Sequence, residues 1–131
     1  MAKKTILVVD DNSTNLNILL RLLEDYDVIA MNNGFDALAI LKQEVVDLIL
    51  LDVAMPEIDG YEVCQILKAR NEAKDVPVIF LCAQNDTIAA EKAYDVGAID
   101  LIRRPVNPKE LLAKVNIQLQ LQTLIQELQN S

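Results

Sequence analysis

The sequence predicts a doubly wound α/β fold: a five-stranded parallel sheet in the order 2-1-3-4-5, built as (βα)5, with helices on both faces and an extended C-terminal helix. Three observations predict it. Five short apolar runs alternate with segments of helical periodicity. The runs are apolar at consecutive positions, as strands are when helices cover both faces of a parallel sheet. No repeat, linker or low-complexity stretch interrupts the alternation, so the 131 residues read as one ordinary domain. Right-handed crossovers narrow the topologies, and the 2-1-3-4-5 order is the one favoured.

Each element has a local cause. Thr5-Ile6-Leu7-Val8-Val9 is an uninterrupted apolar strand, followed by Leu16, Leu19, Leu20 and Leu23 at helical spacing. Residues 27–31 form a short second strand. Residues 34–43 place Ala37, Leu38 and Leu41 on one helical face, and Leu48-Ile49-Leu50-Leu51 is the third strand. Asp59 and Glu62 make a capping box that starts the next helix, whose apolar face is Val63, Ile66 and Leu67. Val78-Ile79-Phe80-Leu81 is the fourth strand. A helix over about residues 86–96 stops at Gly97, and Leu101-Ile102 lies in a short fifth strand. Asn107 caps the last helix, Pro108 takes its first position, and Glu110 completes a second capping box.

The last helix is longer than the sheet requires. Over residues 107–129 it would run roughly 34 Å. Past its sheet-covering half, Ile117, Leu121, Leu124 and Leu128 repeat at spacing 4-3-4, a coiled-coil seam flanked by glutamines. Residues 1–120 are therefore expected to form the domain. Residues 121–131 are a helical extension that serves as a homodimer contact, as a linker to an output domain, or simply as a frayed amphipathic end.

Composition removes several classes of function. The chain is 52% hydrophobic and 24% charged, which marks a globular rather than a disordered protein. A net charge of −8 repels phosphate backbones and anionic lipids, so no direct nucleic-acid partner and no membrane partner is expected. Apolar runs of strand length fall far below the roughly 20 residues of a membrane helix, and no secretory signal is evident. Cys64 and Cys82 lack metal-ligand spacing and read as buried thiols of a reducing cytoplasm. The chain has no histidine, so Ser-His and Cys-His nucleophiles are excluded and carboxylates must carry any chemistry.

The carboxylates sit where such a sheet binds ligands, beyond the carboxyl ends of the strands at the switch point between strands 1 and 3. Strand 1 ends in Asp10-Asp11 and strand 3 in Asp52. Like charges at short range raise one another's pKa and destabilise a fold, and a hard divalent cation such as Mg2+ relieves the conflict. A carboxylate beside that ion can attack phosphorus to give an aspartyl phosphate. The plain alternative is that Asp10 and Asp11 cap the first helix and Asp52 caps a loop. Arg104, just past strand 5, is either the cation completing a clamp on the site or a surface charge.

These residues carry a resemblance. Val8-Val9-Asp10-Asp11-Asn12, the block from Leu51-Asp52-Val53-Ala54-Met55-Pro56 to Asp59-Gly60-Tyr61-Glu62, Val76-Pro77-Val78-Ile79-Phe80-Leu81, Gly97-Ala98 and Arg104-Pro105 together resemble the response-regulator receiver domains of two-component signalling, over about residues 4–120. The resemblance implies the flavodoxin-like (βα)5 fold of CheY and a cytoplasmic signalling protein rather than an enzyme. It implies Asp52 as phosphoacceptor, charged by a histidine kinase or histidine phosphotransfer protein. Asp10, Asp11 and Asp52 would hold Mg2+ together with the Ala54 carbonyl, and the readout would be the helix 4, strand 5, helix 5 face. It also implies a proline at 105 whose peptide bond is often cis.

Three positions depart from the family. Cys82 stands where a threonine or serine hydroxyl bonds the phosphoryl group, and a thiol is the weaker donor. Arg104 stands where lysine is usual, and the two are not interchangeable. Leu101 stands where a rotating aromatic is usual. The competing reading is thus a pseudo-receiver acting through constitutive contacts. Other activities on this fold lack their motifs. A haloacid-dehalogenase phosphatase needs an aspartate where Ala54 stands. The glycine loops of P-loop and dinucleotide binders are missing, and Asp10-Asp11 would repel a flavin phosphate.

Overall fold

Consecutive apolar residues became strands wherever the sequence indicates them, and the computed structural model describes them as part of residues 3–130. The order is β1 (Thr5–Val9), α1 (Ser13–Leu22), β2 (Asp27–Met31), α2 (Gly34–Ile40), β3 (Leu48–Asp52), α3 (Gly60–Lys68), β4 (Val78–Cys82), α4 (Ala89–Asp95), β5 (Asp100–Arg103) and α5 (Pro108–Gln129). All four ladders are parallel, and the sheet runs β2-β1-β3-β4-β5.

Alternation along the strands divides the core into two layers. Leu7, Val9, Ile49, Leu51, Val78 and Phe80 face α2, α3 and α4, where Ala37, Leu38, Val63, Leu67 and Ala93 meet them. Ile6, Val8, Leu48, Leu50, Ile79 and Ile102 face α1 and α5, against Leu19, Leu23, Leu111, Val115 and Leu119. Every residue of β3 and β4 is buried, as central strands covered on both faces should be. Each fully buried Leu, Ile or Phe contributes about 1.5–3 kcal/mol relative to exposure.

Side-chain caps place the helices. Asn12, Asn33, Asp59 and Asn107 each accept the backbone N–H three residues on, at 3.0, 2.8, 2.9 and 3.1 Å. Each such cap is worth about 1 kcal/mol. The box on α3 is complete, because Glu62 Oε1 also accepts the Asp59 N–H at 3.3 Å. The box expected on α5 is one-sided, since the Glu110 carboxylate lies 3.6 Å from Lys114 instead.

Two helices are shorter than their patterns suggest. α2 stops at Ile40 rather than running to 43. α4 starts at Ala89 rather than near 86. At α4 the cause is visible: Asp86 Oδ1 accepts the Ile88 N–H at 3.2 Å in a local turn, and Arg103 holds the Asp86 carbonyl at 2.7 Å. α4 ends as expected, with Gly97 at φ +92°.

α5 is 22 residues long, about 33 Å at 1.5 Å per residue. Leu111, Val115 and Leu119 bury its first half, whereas Ile117, Leu121 and Leu124 are 58, 48 and 56% exposed. No described helix is long and apolar enough to cross a membrane.

Candidate functional site

The register of the sheet builds the site. Val9 pairs with Leu51 in the β1–β3 ladder, so the next residues, Asp10 and Asp52, stand side by side at adjacent strand tips. Both point to the α1/α5 face by strand alternation. Both are held by the same local device: Asp10 Oδ1 accepts the Asn12 N–H at 3.0 Å, and Asp52 Oδ1 accepts the Ala54 N–H at 3.1 Å. The cap of α1 is Asn12, not Asp10 or Asp11. The structure thus corrects the alternative that Asp10 and Asp11 cap α1, while Asp52 does accept a loop N–H, that of Ala54.

Burial makes the pair unusual. Asp10 is 0% and Asp52 4% exposed, while Asp11 lies in solvent. One carboxylate oxygen from each of Asp10, Asp11 and Asp52 lies within 4.8 Å of the others. Loss of water pushes the Asp52 carboxyl up from its ordinary 3.8 to about 6; the Arg104 charge and the Ala54 N–H oppose the rise, and the Asp10 charge adds to it.

Arg104 faces both acids. Its Nη2 pairs with Asp10 Oδ2, and its Nη1 donates to Asp52 Oδ1 at 3.2 Å. Its backbone N–H donates to the Cys82 carbonyl at 2.8 Å, and the Arg104–Pro105 peptide is cis. Asp52 Oδ2 accepts no hydrogen bond among the described residues. A cavity of about 560 Å³ opens over this corner, lined by Asp52, Ala54 and Arg104 and walled by Ile18, Leu19 and Val106.

Cys82 is set apart. Its side chain belongs to the opposite core layer, fully buried, and does not line the cavity. Burial raises its thiol pKa. Leu101 packs against the same layer. The aromatic residues there are Phe80 of β4 and Tyr61 of α3, whose rings meet edge to face at 5.1 Å. The Tyr61 hydroxyl is buried without a hydrogen-bond partner among the described residues.

Sequence reasoning missed Arg103. Strand alternation sends it to the side opposite Arg104, where Nη1 donates to the Asp86 carbonyl at 2.7 Å and reaches those of Ala83 and Gln84 at 3.4 Å. The doubled arginine at a strand end was the available signal, because a period of two gives such neighbours different partners.

A doubly wound sheet with buried acids at its switch point and a cation from the last strand defines a class of α/β protein built to handle an anionic group together with a hard cation. Comparison with known sequences carries this to a family: the response regulator receiver domain matches residues 6–116, and the chain belongs to that family, the receiver domains of two-component systems. A "Probable transcriptional regulator ycf27" of Porphyridium aerugineum is 42% identical over 117 residues, covering 88% of this chain and 48% of that protein. The chain spans about half the length of the first curated relatives it matches.

Among solved structures, a CheY-like receiver domain protein from Methanospirillum hungatei JF-1 superimposes with a TM-score of 0.84 at 28% identity, covering 93% of this chain and 98% of that one. The receiver domain of the sensor histidine kinase PA1611 from Pseudomonas aeruginosa PAO1, solved with magnesium in its active-site cleft, gives 0.83 at 27% identity, covering 90% and 98%.

Proposed function

We propose that this domain accepts a phosphoryl group on Asp52 from a histidine kinase or histidine phosphotransfer protein, in a Mg2+-dependent step. The observation that carries the reading is the state of Asp52: buried, anchored through Oδ1 and lining the cavity, with Asp10 beside it. Anchoring one oxygen orients the other, which lowers the entropic cost of attack. Asp52 Oδ2 attacks phosphorus, a P–O bond forms, and the P–N bond to the donor's imidazole breaks. The electron pair leaves with that nitrogen, which takes up a proton.

Three clustered carboxylates suit a hard divalent cation. Asp10, Asp11 and Asp52, with the Ala54 carbonyl, are the residues that would hold it, and the receiver of PA1611 carries magnesium in its cleft. When bound, Mg2+ supplies charge neutralisation for the transferring group. Arg104 is close enough to Asp52 to donate to the phosphoryl oxygens. Cys82, one residue past the β4 partner of Asp52, packs in the opposite core layer, so no phosphoryl contact is assigned to its thiol.

Residues 1–120 are the receiver unit, and the end of α5, through Gln129, serves as a contact between two copies of the chain or as a linker to an output domain. The exposed faces of Ile88, Tyr94 and Ile99, on and beside α4, suit the readout surface. A small phosphodonor with Mg2+ tests the reading: intact mass should rise by one phosphoryl group in the parent and not in Asp52→Asn. An unchanged parent mass, with a control receiver modified alongside, would favour a phosphate-independent interaction module instead.

A further inference from the structure

We infer that Arg103 is a positioning residue that couples the length of α4 to the wall of the Asp52 cavity, because it withholds the carbonyl on which a longer α4 would start. The cavity half of the inference rests on the phosphoryl-transfer reading above; the α4 half does not.

α4 has two starts open to it. Residues 86–96 carry a helical pattern, yet the helix begins at Ala89, with Ile88 at its N-cap and no side-chain bond to that cap. Asp86 is the better cap by residue type. Its Oδ1 already accepts the Ile88 N–H at 3.2 Å, the bond an N-cap aspartate makes two residues on. A helix capped there would close its first turn when the Ala90 N–H donates to the Asp86 carbonyl, four residues back. Arg103 Nη1 holds that carbonyl at 2.7 Å from β5. A half-buried guanidinium makes the stronger, charge-assisted bond. The missing turn is thus decided by competition for one oxygen, not by residues unsuited to a helix.

The same arginine holds the segment that walls the cavity. Its Nη1 also reaches the carbonyls of Ala83 and Gln84 at 3.4 Å, and both residues line the cavity over Asp52. Outside this segment and α4, Arg103 is the only group among the described residues that hydrogen-bonds residues 83–88. The upstream end is fixed: the Arg104 N–H holds the Cys82 carbonyl at 2.8 Å, and Cys82 pairs with Arg103 in the sheet. Only residues 83–85 lie between that anchor and Asp86. When residues 86–88 wind into the helix, those three must absorb the displacement, and the cavity wall moves with them. With Arg103 in place the short α4 and the present wall are held together by one side chain.

The test compares the full chain with Arg103→Leu and Arg103→Lys, by nuclear magnetic resonance and by phosphorylation from acetyl phosphate with Mg2+. In Arg103→Leu the 13Cα signals of residues 86–88 should move toward helical values, and hydrogen exchange at the Ala90 amide should slow several-fold. Arg103→Lys, whose ammonium can still donate to the Asp86 carbonyl, should stay near the parent in both. The acetyl phosphate concentration for half-maximal rate should rise several-fold in Arg103→Leu while the saturating rate holds, and Arg103→Lys should restore it. Unchanged 13Cα signals and exchange in Arg103→Leu would overturn the inference and leave the Asp52 reading standing. A longer α4 with an unchanged donor requirement would overturn the coupling. Absence of phosphorylation in every chain would remove the Asp52 reading alone. The coupling is then decided by the amide signals of Ala83 and Gln84, which must move in Arg103→Leu. Should Arg103→Leu fail to fold by circular dichroism, Arg103→Ala takes its place.

Discussion

Gly60 packs its backbone directly on the carbonyl of Asp52: a Cβ built at Gly60 would lie 2.3 Å from that oxygen and 2.9 Å from the Val53 Cα. The Gly60 N–H also donates to the Val53 carbonyl at 3.0 Å, tying the first turn of α3 to the strand tip that carries Asp52. The neighbours are main chain, so they cannot rotate aside.

Gly60→Ala should therefore destabilise the fold by roughly 2–4 kcal/mol, more than the gain in helix propensity returns. Urea denaturation checks this. The loop after Asp52 must also shift, so Mg2+ affinity should fall alongside stability. A variant as stable as the parent would mean that the close approach relaxes freely.

Asp52 sets a pH dependence whose sign is fixed. Its folded pKa, about 6, lies above the ordinary 3.8, so between these values the folded state holds a proton the unfolded chain has released. That contribution is fully present below pH 4 and is lost as pH rises through 6. At pH 7 the buried charge costs roughly 2–3 kcal/mol. In metal-free buffer Asp52→Asn should therefore be more stable than the parent at pH 7, with the advantage shrinking toward pH 4. On the proposed role of Asp52 as nucleophile, phosphorylation should also slow as pH falls below about 6. A pH-independent stability difference would contradict the burial effect.

Cys82 lies in the core layer opposite the cavity, without exposure. Cys82→Thr would place a hydroxyl there, and an unsatisfied one costs about 1–3 kcal/mol. The variant should melt lower, while the fraction phosphorylated at a fixed donor concentration should stay at the parent's level, because the side chain faces the layer away from the cavity. Mass spectrometry and thermal denaturation read the two effects separately. A several-fold rise in phosphorylation would instead bring the new hydroxyl within reach of the phosphoryl group.

The end of α5 leaves Ile117, Leu121 and Leu124 largely exposed among uncharged glutamines. Two identical helices can meet there without the repulsion that a net charge of −8 would otherwise impose. Truncation after Gln120 should leave a folded monomer, since Leu111, Val115 and Leu119 remain in place. The full chain should self-associate at high concentration, and Leu121→Glu should prevent it. Sedimentation equilibrium checks all three; a full chain that stays monomeric would reduce the tail to an amphipathic extension.

Much of this molecule was settled locally. Consecutive apolar residues could only be strands covered on both faces, and the caps at Asn12, Asp59 and Asn107 act within three residues of themselves, so element order, sheet topology and the acids at the strand tips were legible from sequence. Helix lengths were less so: α4 begins late because Arg103, from a different strand, competes for the Asp86 carbonyl. The partners of Arg104 and the layer that receives Cys82 were likewise decided only when five strands came into register. Ion pairs and cavities join residues as distant as Asp10 and Arg104, and linear spacing carries no distance between them. Local periodicity dictates which face a side chain takes, but only the packed sheet decides what waits on the other side of that face.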